Sequence, residues 1–175
     1  MNAPFSSTLS IRPERPDDIA QIAALTEAAF AGRPYSRGTE RFIVGLLRNA
    51  GALRVSLVAE RDGRLVGHIA FSPVQISDGS SGWYGLGPVS VWPDCQRQGI
   101  GQALVRAGLA ELRALGAHGC VLLGDPAYYG RFGFAADARL RLPGVPPAFF
   151  QALRLDAATP AQGDVSFHPA FDAKG

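Results

Sequence analysis

Seven residues in the middle of the chain carry the clearest chemistry: Gln96-Arg97-Gln98-Gly99-Ile100-Gly101-Gln102. The apolar run Gly87-Pro88-Val89-Ser90-Val91-Trp92 leads into them, and a helical pattern follows at once. A helix whose first turn is built on two glycines has bare backbone N–H groups and room for a phosphate oxygen to touch them. The backbone from about Gln98 to Gln102 can therefore cradle a pyrophosphate, with Arg97 adding charge at the rim. A glycine pair before a helix also serves ordinary turns and close packing. Further on stands Tyr128-Tyr129-Gly130-Arg131-Phe132-Gly133-Phe134, whose phenols either donate a proton or cap an apolar cluster. His68, His118 and His168 are scattered, and Cys95 and Cys120 are far apart. They give no metal-ligand spacing, so no metal is expected.

The elements that must position these groups can be read from punctuation and period. Leu9 to Arg12 is a short strand. Pro16 fits a first helical turn, Asp17 and Asp18 suit the positive helix end, and Ile19, Ile22 and Leu25 give the helical period to about Phe30. After a loop over Gly32 to Gly38, a second helix runs from about Thr39 to Asn49 and ends at Gly51. Arg54–Glu60 and Leu65–Ile76 form a hairpin around the turn Asp62-Gly63. The strand Tyr84–Val91 must bulge or leave its neighbour at Gly87-Pro88, because proline donates no ladder hydrogen bond. The helix from about Gly99 to Leu115 turns Ile100, Leu104, Gly108, Leu112 and Leu115 to one side. Gly116 closes it, and His118 reads as a charge partner of its C-terminus. The strand Cys120–Leu123 comes next, and the tail holds strands near Ala138–Leu142, Phe149–Leu155 and Asp164–Phe167. Antiparallel strands thus lead into one βαβ unit with more strands behind it, a mixed α/β sheet flanked by helices.

The 175 residues suit one domain spanning 1–175, with 1–7 a loose leader and 135–175 a Pro- and Gly-rich set of strands. Apolar content of 47% with 18% charged residues is that of a globular protein. A net charge of +2, with no basic run, gives no argument for nucleic acid. No signal peptide and no membrane-spanning run are seen, and two cysteines point to a reduced cytoplasmic protein.

The signature of a basic or Gln residue, two variable residues, Gly, one variable residue, then Gly or Ala is matched by Gln96 to Gly101. With the Gly-Pro-Val-Ser-Val-Trp-Pro strand before it and Tyr129 four residues ahead of Gly133-Phe134, the chain resembles the GNAT superfamily of acyl-CoA-dependent N-acetyltransferases. The stretch from Gly124-Asp125-Pro126 to Phe134, and the terminal Val165 to Phe171, resemble a poorly characterised bacterial group within it. The resemblance implies a mostly antiparallel central sheet with a splayed middle strand. It implies acetyl-CoA as cosubstrate, bound by the backbone of Val89 and Val91 along the pantetheine arm and by Gln96, Arg97, Gln98, Gly99, Ile100, Gly101 and Gln102 at the pyrophosphate. A backbone N–H of the splayed strand would polarise the thioester carbonyl. Tyr129 is the implied general acid, protonating the thiolate that an attacking amine expels, with Tyr128 its backup. The acceptor is an amine of a small molecule, peptide or protein.

No general base is visible. Relatives often carry a Glu on the central strand, and Gly85 to Val91 holds no acid. His68, Glu27, Glu40 and Asp125 remain, each better read as structural or solvated. Cys95 reads as a plain small residue beside the loop. Arg33, Tyr35 and Arg37 lie in the loop that shapes the acceptor site in relatives. Two rival readings stand beside the main one. A non-catalytic acyl-CoA-binding module would use the same fold. A dinucleotide-binding oxidoreductase is imitated by the strand, glycines and Asp125, but bulky Leu104 fills the third glycine position. An exposed edge strand in the tail could pair two copies.

Overall fold

The computed structural model describes residues 8–158 and 160–174, so the leader expected at 1–7 lies outside the described residues. The chain begins with β1 (Ser10–Pro13), α1 (Ile19–Phe30) and α2 (Glu40–Asn49). The strands β2 (Val55–Arg61), β3 (Arg64–Pro73), β4 (Gln75–Ile76) and β5 (Trp83–Val91) follow. Then come α3 (Ile100–Ala114), β6 (Gly119–Leu123), α4 (Pro126–Tyr129), β7 (Leu140–Arg141), β8 (Phe150–Arg154) and β9 (Gly163–Ser166). Six strands form one sheet in the order β1-β2-β3-β5-β6-β8, and β4-β9-β7 form a second. The large sheet is antiparallel except where β5 meets β6. That pattern matches the expected mixed, mostly antiparallel architecture and is not the parallel stack of a dinucleotide fold.

Local chemistry explains the early elements. A 3-10 turn at Pro16–Asp18 precedes α1, and the Asp18 carboxylate accepts the Arg15 backbone N–H at 2.7 Å. Arg12 clamps the same carboxylate and also reaches Glu60 at 2.9 Å, tying β1 to β2 and to the helix start. Asp62 and Gly63 both take positive φ, 53° and 75°, as a tight two-residue hairpin turn demands.

The return strand of that hairpin is shorter than expected. It ends at Pro73, and Gln75 and Ile76 leave to pair with Ser166 and Val165. Proline offers no N–H with which to continue the first ladder. The second sheet therefore closes a separate apolar cluster, in which Trp83, Val121 and Phe150 of the large sheet meet Ile76, Leu140 and Val165. The tail strand β8 is the edge of the large sheet, as expected of a tail strand. Ala135 occupies part of that edge, exchanging both backbone hydrogen bonds with Ala152.

The helices cover both faces of the large sheet. A Cβ at Gly67 would stand 2.9 Å from Leu104, and one at Gly108 would stand 2.5 Å from Phe71 Cζ, so α3 lies directly on β3. On the opposite face, Ile22 of α1 and Val44 of α2 pack on Val58 and Leu65. Among the described residues, no helix is long and apolar enough to cross a membrane.

Candidate active site

The central strand loses its neighbour halfway along. β5 pairs with β6 only at Trp83–Gly119, Tyr84–Cys120 and Gly85–Val121. On its other side it stays with β3 as far as Val91, with a register shift opposite Gly87-Pro88. The bulge falls where the sequence predicted it, at the residue without a ladder donor. Trp92 N–H donates to Val66 O on the β3 side at 3.0 Å. By the two-residue alternation of a strand, Ser90 faces the same way, and the backbone of Val89 and Val91 faces the gap beside β6. Their side chains lean on the core formed with α3.

The gap opens into a cavity of about 470 Å³. Val89 and Val91 form one wall, and Gln96, Arg97, Gly99, Ile100, Gly101 and Gln102 form another. Phe30 at the end of α1, with Arg33 and Tyr35 from the loop after it, closes the third side. Of the expected cofactor residues only Gln98 is missing from this lining, because its side chain is turned outward to Arg61 at 2.7 Å. Gly99 caps α3 with φ of 81°, a conformation that glycine adopts without cost, and a Cβ there would meet open space. The first turn of α3 therefore presents its N–H groups to the cavity unshielded. Gln96 is used twice: its amide nitrogen donates to Val91 O at 3.1 Å and its oxygen accepts from Arg33 at 2.9 Å.

The two tyrosines separate in role. Asp125 caps α4 by accepting the Ala127 N–H at 2.9 Å, and Pro126 takes the first helical position. Gly124-Asp125-Pro126 is thus a well-formed helix start. Tyr128 lines the cavity, and a Cβ on Gly101 would stand 3.1 Å from its hydroxyl. Tyr129 lies behind it, in edge contact with Tyr128 at 4.9 Å and packed near Phe132 and Phe134. Burial, with smaller contributions from Tyr128, Tyr35 and Cys120, holds the Tyr129 phenol well above the ordinary tyrosine value. Tyr128 is shifted the same way, by burial first. Both are therefore protonated at neutral pH, the form a proton donor needs.

The candidate bases are all committed elsewhere. His68 is fully buried, its Nε2 shares a hydrogen bond with Ser56 at 2.8 Å, and burial lowers it to about 3. Glu27 pairs with Arg41, Glu40 accepts from Ser36 at 2.8 Å, and Asp125 is the helix cap. On β5, a Cβ at Gly85 would stand 2.6 Å from the Phe167 ring, so the tail fills that face of the strand. His118 does not serve the end of α3: its ring lies over Gly82 and its Nδ1 pairs with Ser81 O at 2.9 Å. His168 instead caps the last turn by accepting Ala170 N–H at 3.0 Å. Cys95 and Cys120 are both free and buried. Cys95 lines the cavity, and burial followed by Asp94 raises its thiol, so it is not an activated nucleophile.

Sequence reasoning missed Arg61 and did not foresee the parts that Tyr128 and Arg33 take at the cavity. Tyr128 was only a backup, and the links of Arg33 to Gln96 and of Arg61 to Gln98 join residues far apart in the chain. The signal for the last two was the pair of glutamines flanking Arg97, each an amide in need of a partner.

Comparison with known proteins gives the same outline. The acetyltransferase (GNAT) domain family matches residues 10–136. YhbS of Escherichia coli K12, an uncharacterized N-acetyltransferase, is 38% identical over 169 residues, covering 93% of this chain and 98% of YhbS. The crystal structure of E. coli YhbS in complex with CoA superposes with a TM-score of 0.87, covering 100% of this chain and 98% of that one. A GNAT family acetyltransferase from Brucella melitensis, in complex with acetyl-CoA, is 54% identical. It covers 95% of this chain and 99% of its own, with a TM-score of 0.84. The chain belongs to the GNAT family of acetyltransferases.

Proposed function

We propose that this protein moves an acetyl group from acetyl-CoA to an amine acceptor, of a small molecule, peptide or protein, by direct attack in a ternary complex. The observation that carries this reading is the meeting, in one cavity, of the strandless edge of β5 at Val89 and Val91 with the bare first turn of α3 at Gly99 to Gln102. The edge offers hydrogen bonds to the amides of a pantetheine arm, as a partner strand would. The helix N-terminus favours the pyrophosphate. The 54% identical Brucella relative holds acetyl-CoA, which supports the same cosubstrate here.

The backbone N–H groups at the gap stabilise the thioester oxygen as negative charge develops on it. Tyr129 gives its phenolic proton to the departing thiolate, and its raised affinity for that proton keeps it loaded at neutral pH. The acceptor ammonium loses its proton to water, since His68, Glu27, Glu40 and Asp125 are each engaged in the fold. That β8 of the tail is a strand of the main sheet supports reading the chain as one domain. Two free thiols suit a reducing cytoplasm.

Calorimetric titration with acetyl-CoA, with NADH as control, tests the reading. Micromolar binding of acetyl-CoA alone is expected. A screen of amines followed by release of the CoA thiol then identifies the acceptor class. Binding without thiol release across a broad set would mean a non-catalytic module.

A further inference from the structure

Each of the two glutamines of the glycine loop holds an arginine from elsewhere in the chain. Arg33, from the loop after α1, donates to Gln96 Oε1 at 2.9 Å, and Arg61, the last residue of β2, donates to Gln98 Oε1 at 2.7 Å. An amide oxygen carries no net charge, so neither guanidinium is neutralised by that bond. Among the described residues, Arg33, Arg61 and Arg97 form no ion pair, whereas neighbouring Arg64 is matched by Asp94 at 3.1 Å. Three uncompensated cations therefore gather at the N-terminal end of α3, whose own N–H groups are positive in the same sense. Like charges held together in this way make a site for a polyanion.

Their positions divide the work. Arg33 and Arg97 line the cavity together with Gly99 and Gly101. Arg61 and Gln98 stand outside that lining, yet Gln98, which holds Arg61 at 2.7 Å, is flanked in the chain by Arg97 and Gly99, which belong to it. Arg61 is thus at the outer rim. CoA carries a pyrophosphate and, farther from the thioester, a phosphate on its ribose. We propose that Arg33 is a ligand of the pyrophosphate and that Arg61 is a ligand of the ribose phosphate, each leaving its glutamine for the anion. This rests on the acetyl-CoA reading above. A guanidinium binds phosphate through two parallel, charge-assisted hydrogen bonds, which are stronger than one bond to a neutral amide. The glutamines hold the two cations at the mouth in a geometry that costs little to give up.

The test is calorimetric titration of the full chain and its variants with acetyl-CoA and with its 3′-dephospho form at low salt. The wild type is expected to bind the phosphorylated form about ten-fold more tightly, the scale of one charge-assisted contact. Arg61→Gln erases that preference, and Arg61→Lys, which keeps the charge, retains most of it. Arg33→Gln weakens both ligands by a similar factor and preserves the preference. A wild type without preference, or an Arg61→Gln protein that still has it, overturns the assignment of Arg61. Wild-type affinity of Arg33→Gln for both ligands overturns that of Arg33. Failure of the wild type to bind either ligand is a different result, since it overturns the acetyl-CoA reading itself.

Discussion

Tyr129 rests on Gly124: a Cβ added at Gly124 would stand 2.6 Å from ring atom Cε2. The glycine directly follows β6 and the tyrosine ends α4, so one missing methyl group sets the distance between the sheet and the phenol. Gly124→Ala should push the ring away from the gap. We expect turnover to fall at least ten-fold, and stability to drop by about 1–3 kcal/mol, the usual cost of overpacking. Steady-state rates and a denaturant melt on the same sample check both numbers.

Tyr129→Phe removes the proton donor and keeps the packing. Turnover should fall by roughly 10²- to 10⁴-fold, the range for a positioned acid, with acetyl-CoA affinity nearly unchanged. Tyr128→Phe acts on the other side of the pair, since its hydroxyl stands over the first turn of α3. Its effect should appear in acetyl-CoA binding more than in the chemical step. Equal turnover for Tyr129→Phe and wild type would remove Tyr129 from the mechanism.

His68 makes acid stability predictable. Burial, with a smaller contribution from Arg48, lowers it to about 3 from an ordinary 6.5. The unfolded chain therefore binds a proton between these values that the folded chain refuses. Stability from this group is fully present above about pH 6.5 and is lost as pH falls toward 3, by up to about 1.4 kcal/mol per pH unit. His68→Gln should flatten the stability curve between pH 6 and 4 by nearly one proton. Asp18 and Asp137 are lowered from 3.8 and act only below that window. Chemical denaturation at a series of pH values gives the slope.

Gly108 tests which of two effects governs α3. Alanine is the better helix former by about 1 kcal/mol. Yet a Cβ at Gly108 would lie 2.5 Å from Phe71 Cζ, inside the core. We expect Gly108→Ala to destabilise by about 1–3 kcal/mol in spite of propensity. A raised melting temperature would show that Phe71 can turn aside.

Much of this site was legible before any coordinates, because its parts are local. The two glycines, Pro88 and the Asp62-Gly63 turn each act through their own backbone, and each sits where its chemistry required. The flight of Gln75 and Ile76 to the second sheet was not legible. Their partners Ser166 and Val165 lie at the far end of the chain, and strand register over that distance leaves no mark in a local pattern. The same limit hid Arg61, whose meaning depends on Gln98, and His118, which leaves the end of α3 for Ser81. The order of Tyr128 and Tyr129 about the cavity turned on helix phase, which a four-residue helix does not reveal through periodicity.

Among the described residues, three pairs, at Trp83, Tyr84 and Gly85, join β5 to β6 in the large sheet. Mechanically, the large sheet is two panels joined by a short seam. A guest lying along β5 would act as the missing thread, extending the seam past Gly85, where β5 and β6 share no ladder. The amides of Val89 and Val91 are then natural strain gauges: their hydrogen exchange should slow when the seam is completed, while that of Trp92, already bonded to Val66, should barely change.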